Sequence, residues 1–192
     1  MNECQAEILA NAVRRGDNLL ISGGTGSGKT TLANVLAGFI PDGDRILILE
    51  DVAELHIGKP HVISAEAQLD THKSRIDFAD LLKAALRRRP DRIIVGEIRG
   101  HEARAFLDAL NTGHRGSLST IHANGADDAL HRLAQLAMRG PGGGIPLRDV
   151  EEECRRSIDL IVHVVNQGGW RHVAAIRGTT GTCNPQQLGS MR

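Results

Sequence analysis

Residues 18–31, Asn18-Leu19-Leu20-Ile21-Ser22-Gly23-Gly24-Thr25-Gly26-Ser27-Gly28-Lys29-Thr30-Thr31, decide the fold. Asn18–Ser22 is an apolar run of strand length, and a helical pattern runs from Lys29 to about Phe39, where Pro41 stops it. Between them, Gly23-Gly24-Thr25-Gly26-Ser27-Gly28-Lys29-Thr30 matches G-x-x-x-x-G-K-[ST]. Each residue type in that pattern has a physical task. Glycines have no Cβ and reach positive φ, so successive backbone N–H groups can turn inward around a phosphate. The helix start adds unpaired donors and the positive end of a dipole. Lys29 supplies a point charge for the β- and γ-phosphates, and Thr30 a hydroxyl for Mg²⁺. Gly23, Gly24, Thr25, Gly26, Ser27, Gly28, Lys29, Thr30 and Thr31 are therefore the candidate nucleotide-binding residues, with ATP and Mg²⁺ as the expected ligands.

Outward from this stretch, short apolar strands alternate with amphipathic helices, the pattern of an α/β fold with a mostly parallel sheet flanked by helices. A helix is expected over residues 3–15, ended by Gly16-Asp17. Arg45–Glu50 reads as a second strand and His61–Ser64 as a weaker one. Asp77 is a candidate N-cap for a helix carrying Leu81, Leu82, Ala85 and Leu86 and ended by Pro90. Arg92–Glu97 is nearly continuously apolar, as in a strand covered on both faces. A helix at Glu102–Leu110, a strand at Ser117–Ile121 and a helix at Asp127–Met138 follow. Gly-Pro-Gly-Gly-Gly at 140–144 is a candidate separation before a last subregion: a helix at Leu147–Ser157 and strands Asp159–Val165 and Trp170–Ile176, joined at Gly168-Gly169. Residues 178–192 have no periodicity and read as a disordered tail, leaving 1–177 as one domain.

A phosphate loop hydrolyses nothing without a metal and a group that orients water. Ile93-Ile94-Val95-Gly96-Glu97 is an apolar strand ending in an acid, with glycine where an aspartate is usual. Glu97 is thus the carboxylate of that strand end, available to Mg²⁺ or to the attacking water. Glu50-Asp51 ends another strand, followed by Glu54. Strands of one parallel sheet release their C-terminal ends on the edge where the phosphate loop sits, so Glu50 and Glu97 can converge there. Glu50 is the first choice for the base and Glu97 for the metal side; the spacing also accommodates the reverse division. His122 ends a predicted strand within reach of the same edge, where it is a candidate γ-phosphate sensor or else a surface or packing residue. Arg87, Arg99 and Arg115 are candidate phosphate contacts, to this chain's own nucleotide or to one bound by a neighbouring subunit, although Arg87-Arg88-Arg89 also suits a helix C-terminus.

Composition narrows the class. The 192 residues carry 23 Lys and Arg against 23 Asp and Glu, so no global field draws the chain to nucleic acid or anionic lipid. Aromatics are 2% of the chain, which leaves no platform for stacking bases and a core made of Leu, Ile, Val and Ala. Direct nucleic-acid binding is not expected. Apolar runs are too short to span a bilayer, and the N-terminus lacks the features of a secretory signal. Three scattered cysteines, never in a CxxC pair, suit a reducing compartment, and the nine histidines show no metal-ligand spacing. The expected location is cytoplasmic.

Four stretches in order resemble the motor domain of the type II/type IV secretion ATPase family: GGTGSGKTT at 23–31, ILEDVAEL at 48–55, RPDRIIVGEIRG at 89–100 and NTGHRGSLSTIHAN at 111–124. The likeness covers roughly residues 5–177 and is nearest the tight-adherence pilus and conjugative-transfer ATPases. It implies a RecA-like P-loop NTPase motor that powers type IV secretion, conjugative transfer or pilus assembly. By the same resemblance Glu50 is the general base, Glu97 the Walker glutamate and His122 a γ-phosphate sensor. It further implies a homo-hexameric ring at the cytoplasmic face of a bacterial inner membrane, partnered by secretion or pilus membrane proteins and peripherally associated with the membrane. Family members carry an N-terminal domain before this motor, which is expected to be absent here because Met1 lies so close to the first helix. Two other readings fit the phosphate loop: a nucleic-acid-dependent translocase and a non-catalytic nucleotide-gated docking module.

Overall fold

Strict alternation of side chains along strands that are apolar at nearly every position sets the architecture. The computed structural model describes residues 1–67, 78–140 and 144–179. Its strands are β1 (Leu19–Gly23), β2 (Ile46–Glu50), β3 (Val62–Glu66), β4 (Arg92–Ile98), β5 (Leu118–Ile121), β6 (Leu160–Gln167) and β7 (Trp170–Gly178), in the order β3-β2-β4-β5-β1-β6-β7. All neighbours pair in parallel except β6 and β7, which form an antiparallel hairpin. The helices are α1 (Glu3–Arg15), α2 (Lys29–Ala37), α3 (Phe78–Leu86), α4 (Glu102–Asn111), α5 (Ala126–Ala137) and α6 (Leu147–Ser157).

Leu19 and Ile21 of β1, Ile46 and Ile48 of β2, Ile94 of β4 and Leu160 and Val162 of β6 face one core, with Leu9 and Val13 of α1 and Leu36 of α2. Leu20, Leu47, Leu49, Ile93, Val95 and Ile161 face the other, with Phe78 of α3, Phe106 of α4, Leu133 of α5 and Val150 of α6. Burying one such Leu or Ile contributes about 2 kcal/mol, and a one-residue slip in register would exchange the two faces. Both sides of the central strands are therefore committed, which locks the strand ends that carry the candidate acids.

The α/β class and the mostly parallel sheet agree with the sequence pattern. Element ends differ by one to three residues because pairing, not composition, sets them. The weak strand expected at His61–Ser64 spans Val62–Glu66, where Glu50 and Glu66 still pair, and α2 stops at Ala37 rather than Phe39. The last subregion is not separate: β6 pairs in parallel with β1 from Leu160 to Val164. Strand β7 runs to Gly178, and Thr179 donates its hydroxyl to the Ile158 carbonyl, so order extends past the start of the expected tail. Asp77, Pro141–Gly143 and residues 180–192 lie outside the described residues.

Helix α1 is closed at both ends. Asn2 and Gln5 form a capping box with bonds of 2.8 and 3.0 Å, and Gly16 ends the helix at φ +82°. On the sheet edge opposite the phosphate loop, buried Arg92 donates its Nε to Asp44 at 2.7 Å and lies against Gly16 and Gly116. Gly116 has φ +75°, and a Cβ there would fall 1.3 Å from the Arg92 guanidinium. Gly113 also has positive φ, +102°, but open space around it. Gly116→Ala is therefore expected to cost about 2 kcal/mol or more in urea unfolding, and Gly113→Ala about 1 kcal/mol. Equal losses would contradict the packing of Arg92.

Candidate functional site

The phosphate loop joins the end of β1 to the start of α2 by backbone that side chains could not follow. A Cβ on Gly23 would lie 2.3 Å from the Val164 carbonyl of β6 and 2.6 Å from Ser27 Oγ. Gly26 and Gly28 have φ +69° and +95°, the left-handed region. Gly28 caps α2 with no side-chain hydrogen bond, and the first turn of α2 has no acidic residue. A positive helix end thus opens into a cavity of about 570 Å³, lined by residues 25–31 with Glu54, Glu97, Arg99, His122 and Arg171.

Two atoms of the loop are consistent with an anionic occupant. Ser27 Oγ is buried and has no hydrogen-bond partner. Lys29 is 8% exposed, and its Nζ donates to the carbonyls of Gly23 and Gly24 at 3.1 and 2.9 Å. Burial pulls the Lys29 ammonium below its ordinary pKa, Glu97 opposes that, Arg99 adds to it, and Glu54 opposes it again. A phosphate beside Nζ would remove that penalty. Thr30 donates its hydroxyl to Glu54 at 3.1 Å. Among the described residues no three His, Cys, Asp or Glu side chains form a group able to hold a metal. Thr30 and a single carboxylate suit Mg²⁺, which is usually held by one or two protein groups plus phosphate oxygens.

The two strand-end acids do converge. A smaller cavity of about 60 Å³ lies beside the first, lined by Thr30, Glu50, Asp51, Val52, Glu54, Gly96, Glu97 and Arg99. It is large enough for water. Glu50 is buried, and its Oε1 accepts the backbone N–H groups of Glu54 and Leu55 at 3.1 and 3.0 Å. Glu97 lines both cavities and accepts from Arg99 Nη2 at 2.8 Å. That bond raises the Arg99 pKa above its ordinary value. Asp51, 3.8 Å from Arg99, has its carboxyl pushed up by burial against the pull of the arginine. The geometry also accounts for glycine at 96. A Cβ there would sit 2.9 Å from Glu50 Cγ and 3.2 Å from Glu50 Oε1, so the Glu50 side chain occupies the space an aspartate would need.

His122 is exposed just after β5 and lines the larger cavity. Of the three candidate arginines, Arg99 lines it. Arg115 pairs instead with Asp159, and Arg87 follows the end of α3. Sequence reasoning missed Ser27 as an orphaned hydroxyl, and it missed Arg171. That residue sits on β7, far along the chain, yet its Nε donates to the Gly26 carbonyl at 3.0 Å. No motif marks it.

Fold and site together define a P-loop nucleotide-binding α/β domain. Residues 1–167 match the family described as Type II/IV secretion system protein, and the chain belongs to that family. It is 43% identical over 180 residues to the conjugal transfer protein TrbB of Rhizobium radiobacter, covering 92% of this chain and 52% of that one. It is 40% identical to the type IV secretion system protein PtlH of Bordetella pertussis, over 85% of this chain and 49% of the relative. Among solved structures, the VirB11 ATPase of the Brucella suis type IV secretion system, in complex with sulphate, superposes with a TM-score of 0.83 at 31% identity. That match covers 91% of this chain and 53% of VirB11. The chain thus spans about half the length of the relatives it matches.

If the Glu50 side chain excludes a Cβ at position 96, the two sites must be energetically coupled. Gly96→Ala is expected to cost about 1–3 kcal/mol in the wild type and only a few tenths in a Glu50→Ala background, measured by urea unfolding. Additive losses would contradict the contact.

Proposed function

We propose that this chain is the ATP-hydrolysing motor domain of a type IV secretion, conjugative-transfer or pilus-assembly machine, spanning residues 1–177. The observation that carries the reading is the convergence of a buried lysine, an uncapped helix start and two strand-end carboxylates on adjoining cavities. ATP is the substrate, its phosphates lying along Gly23–Thr31.

Each residue has a chemical task in this reading. Backbone N–H groups of the loop and the Lys29 ammonium bind the β- and γ-phosphates and offset their charge. Thr30 and Glu97 would hold Mg²⁺, which would supply positive charge against the negative charge that builds on the transferred phosphoryl group. The small cavity, lined by both Glu50 and Glu97, has room for the attacking water. Glu50 is the base: the backbone bonds on Oε1 fix the carboxylate's orientation, so it can take a proton from the attacking water. Glu97, in both cavities, stands nearer the phosphate. His122, exposed at the cavity wall, donates to the γ-phosphate and reports its loss to the end of β5. His122 also lines a neighbouring groove with Asp128 and His131 of α5.

The machine-level proposals rest on family membership rather than on this chain's geometry. They are a homo-hexameric ring, inner-membrane secretion or pilus partners, and action at the cytoplasmic face of a bacterial inner membrane. Peripheral association with that membrane belongs to the same reading; among the described residues no helix is long and apolar enough to cross a membrane.

Phosphate release with ATP and Mg²⁺ tests the reading. Lys29→Ala, Glu50→Gln and Glu97→Gln are each expected to slow turnover by about 100-fold or more. The two Gln variants should still bind nucleotide. Identical rates in all four proteins would overturn it. If neighbouring subunits complete the site, the wild-type rate per chain rises with protein concentration, and a constant rate would contradict ring-dependent catalysis.

A further inference from the structure

The larger cavity is walled on one side by a strand that takes no part in the strand-end chemistry. The β6–β7 hairpin turns at Gly168 and Gly169, with φ +60° and +88°, and Asn166 Oδ1 accepts the Gly169 N–H at 3.0 Å. The same asparagine donates Nδ2 to the Gly26 carbonyl at 3.4 Å. Arg171, one residue beyond the sole tryptophan, donates Nε to that carbonyl at 3.0 Å. The stem of Arg171 also lies against the start of α2: a Cβ on Gly28 would come 3.3 Å from its Cδ. Two side chains of one hairpin therefore grip the apex of the phosphate loop.

Charge gives the grip a second use. Three cations line the cavity, Lys29, Arg99 and Arg171. Arg99 is neutralised by Glu97 at 2.8 Å, with Asp51 at 3.8 Å, and Lys29 is held by loop carbonyls. Among the described residues Arg171 pairs with no carboxylate. A guanidinium is planar, so fixing Nε on a backbone carbonyl also fixes the direction of the two Nη groups. Guanidinium groups favour phosphate oxygens, and here the arginine lines the same cavity as a helix start and Lys29, with Glu54 and Glu97 also on its wall, Glu97 paired with Arg99.

We propose that Arg171 is a nucleotide-positioning residue: its Nε pins the Gly26 carbonyl in the left-handed turn, and its Nη groups contact a phosphate of the bound nucleotide. Asn166 supports the same carbonyl and ties the loop to the hairpin turn. The hairpin thereby couples occupancy of the phosphate loop to the outer edge of the sheet. This inference rests on the nucleotide-site reading above.

Trp170 is 75% exposed and adjoins Arg171, so its fluorescence reports the hairpin directly. The test is titration of the full chain with ADP and Mg²⁺, followed by calorimetry and by Trp170 emission, for wild type, Arg171→Ala, Arg171→Lys and Lys29→Ala. Arg171→Ala is expected to unfold at the wild-type urea midpoint, bind ADP about 10- to 100-fold more weakly and lose the change in emission. Arg171→Lys keeps the charge but not the planar fork, and should fall between the two. In turnover, Arg171→Ala should raise KM with kcat little changed, the mark of a contact made before and during reaction. Lys29-dependent ADP binding of equal strength in wild type and Arg171→Ala would overturn the role of Arg171 alone. No ADP binding by the wild type, or binding indifferent to Lys29→Ala, would instead overturn the nucleotide site itself.

Discussion

Helix α2 starts without a side chain to cap it, and the chain around it is built to keep that start open. Helix α1 shows the alternative: Asn2 and Gln5 satisfy its first N–H groups reciprocally. At α2 the cap is Gly28 in a left-handed turn, the first turn carries no acid, and the residue at its head is a buried lysine. An uncapped helix start beside a partly desolvated ammonium favours an anion over a neutral occupant. That preference is the constraint on which the site depends. The buried two-faced sheet holds β1 in place, the close approach of β6 forbids a side chain at Gly23, and the β6–β7 hairpin holds Gly26.

The second constraint is spatial exclusion between β2 and β4. Glu50 and Gly96 lie on neighbouring strands, and only one of them has room for a side chain. A carboxylate delivered from β2 therefore stands where one from β4 would otherwise project. This leaves Glu97, one residue further on, free to turn toward Arg99 and the phosphate cavity. The acids of the site are split between two strands, so a shift of β2 relative to β4 would separate Glu50 from Glu97 and the loop. Two faces of tightly packed apolar side chains resist that shift.

Much of this was legible in the chain. The order of elements followed from apolar periodicity, and the phosphate loop from glycines, lysine and threonine at fixed spacing between a strand and a helix. Convergence of Glu50 and Glu97 followed from the rule that parallel strands end on one edge. The reason for Gly96 was not legible, because it depends on a neighbouring strand's side chain. Arg171 was invisible for a similar reason: its partner is a backbone carbonyl 145 residues away, and backbone contacts leave no pattern in side-chain identity. Strand limits were blurred where pairing extends past the apolar run, as at Asn166, Gln167, Arg177 and Gly178. Arg115 pairs with Asp159 within the chain, a partner that no motif in the sequence marked.

The central claim is that the backbone N–H groups of residues 23–31 receive the phosphates of a nucleotide. Amide ¹H–¹⁵N spectra of the chain, titrated with a non-hydrolysable ATP analogue and Mg²⁺, test it most directly. The account predicts saturable shifts that are largest at Gly23, Gly24, Gly26, Gly28 and Lys29, with smaller ones at Glu97 and Arg171. Glycine resonances that stay fixed while signals elsewhere move, or a spectrum that does not change at all, would contradict it.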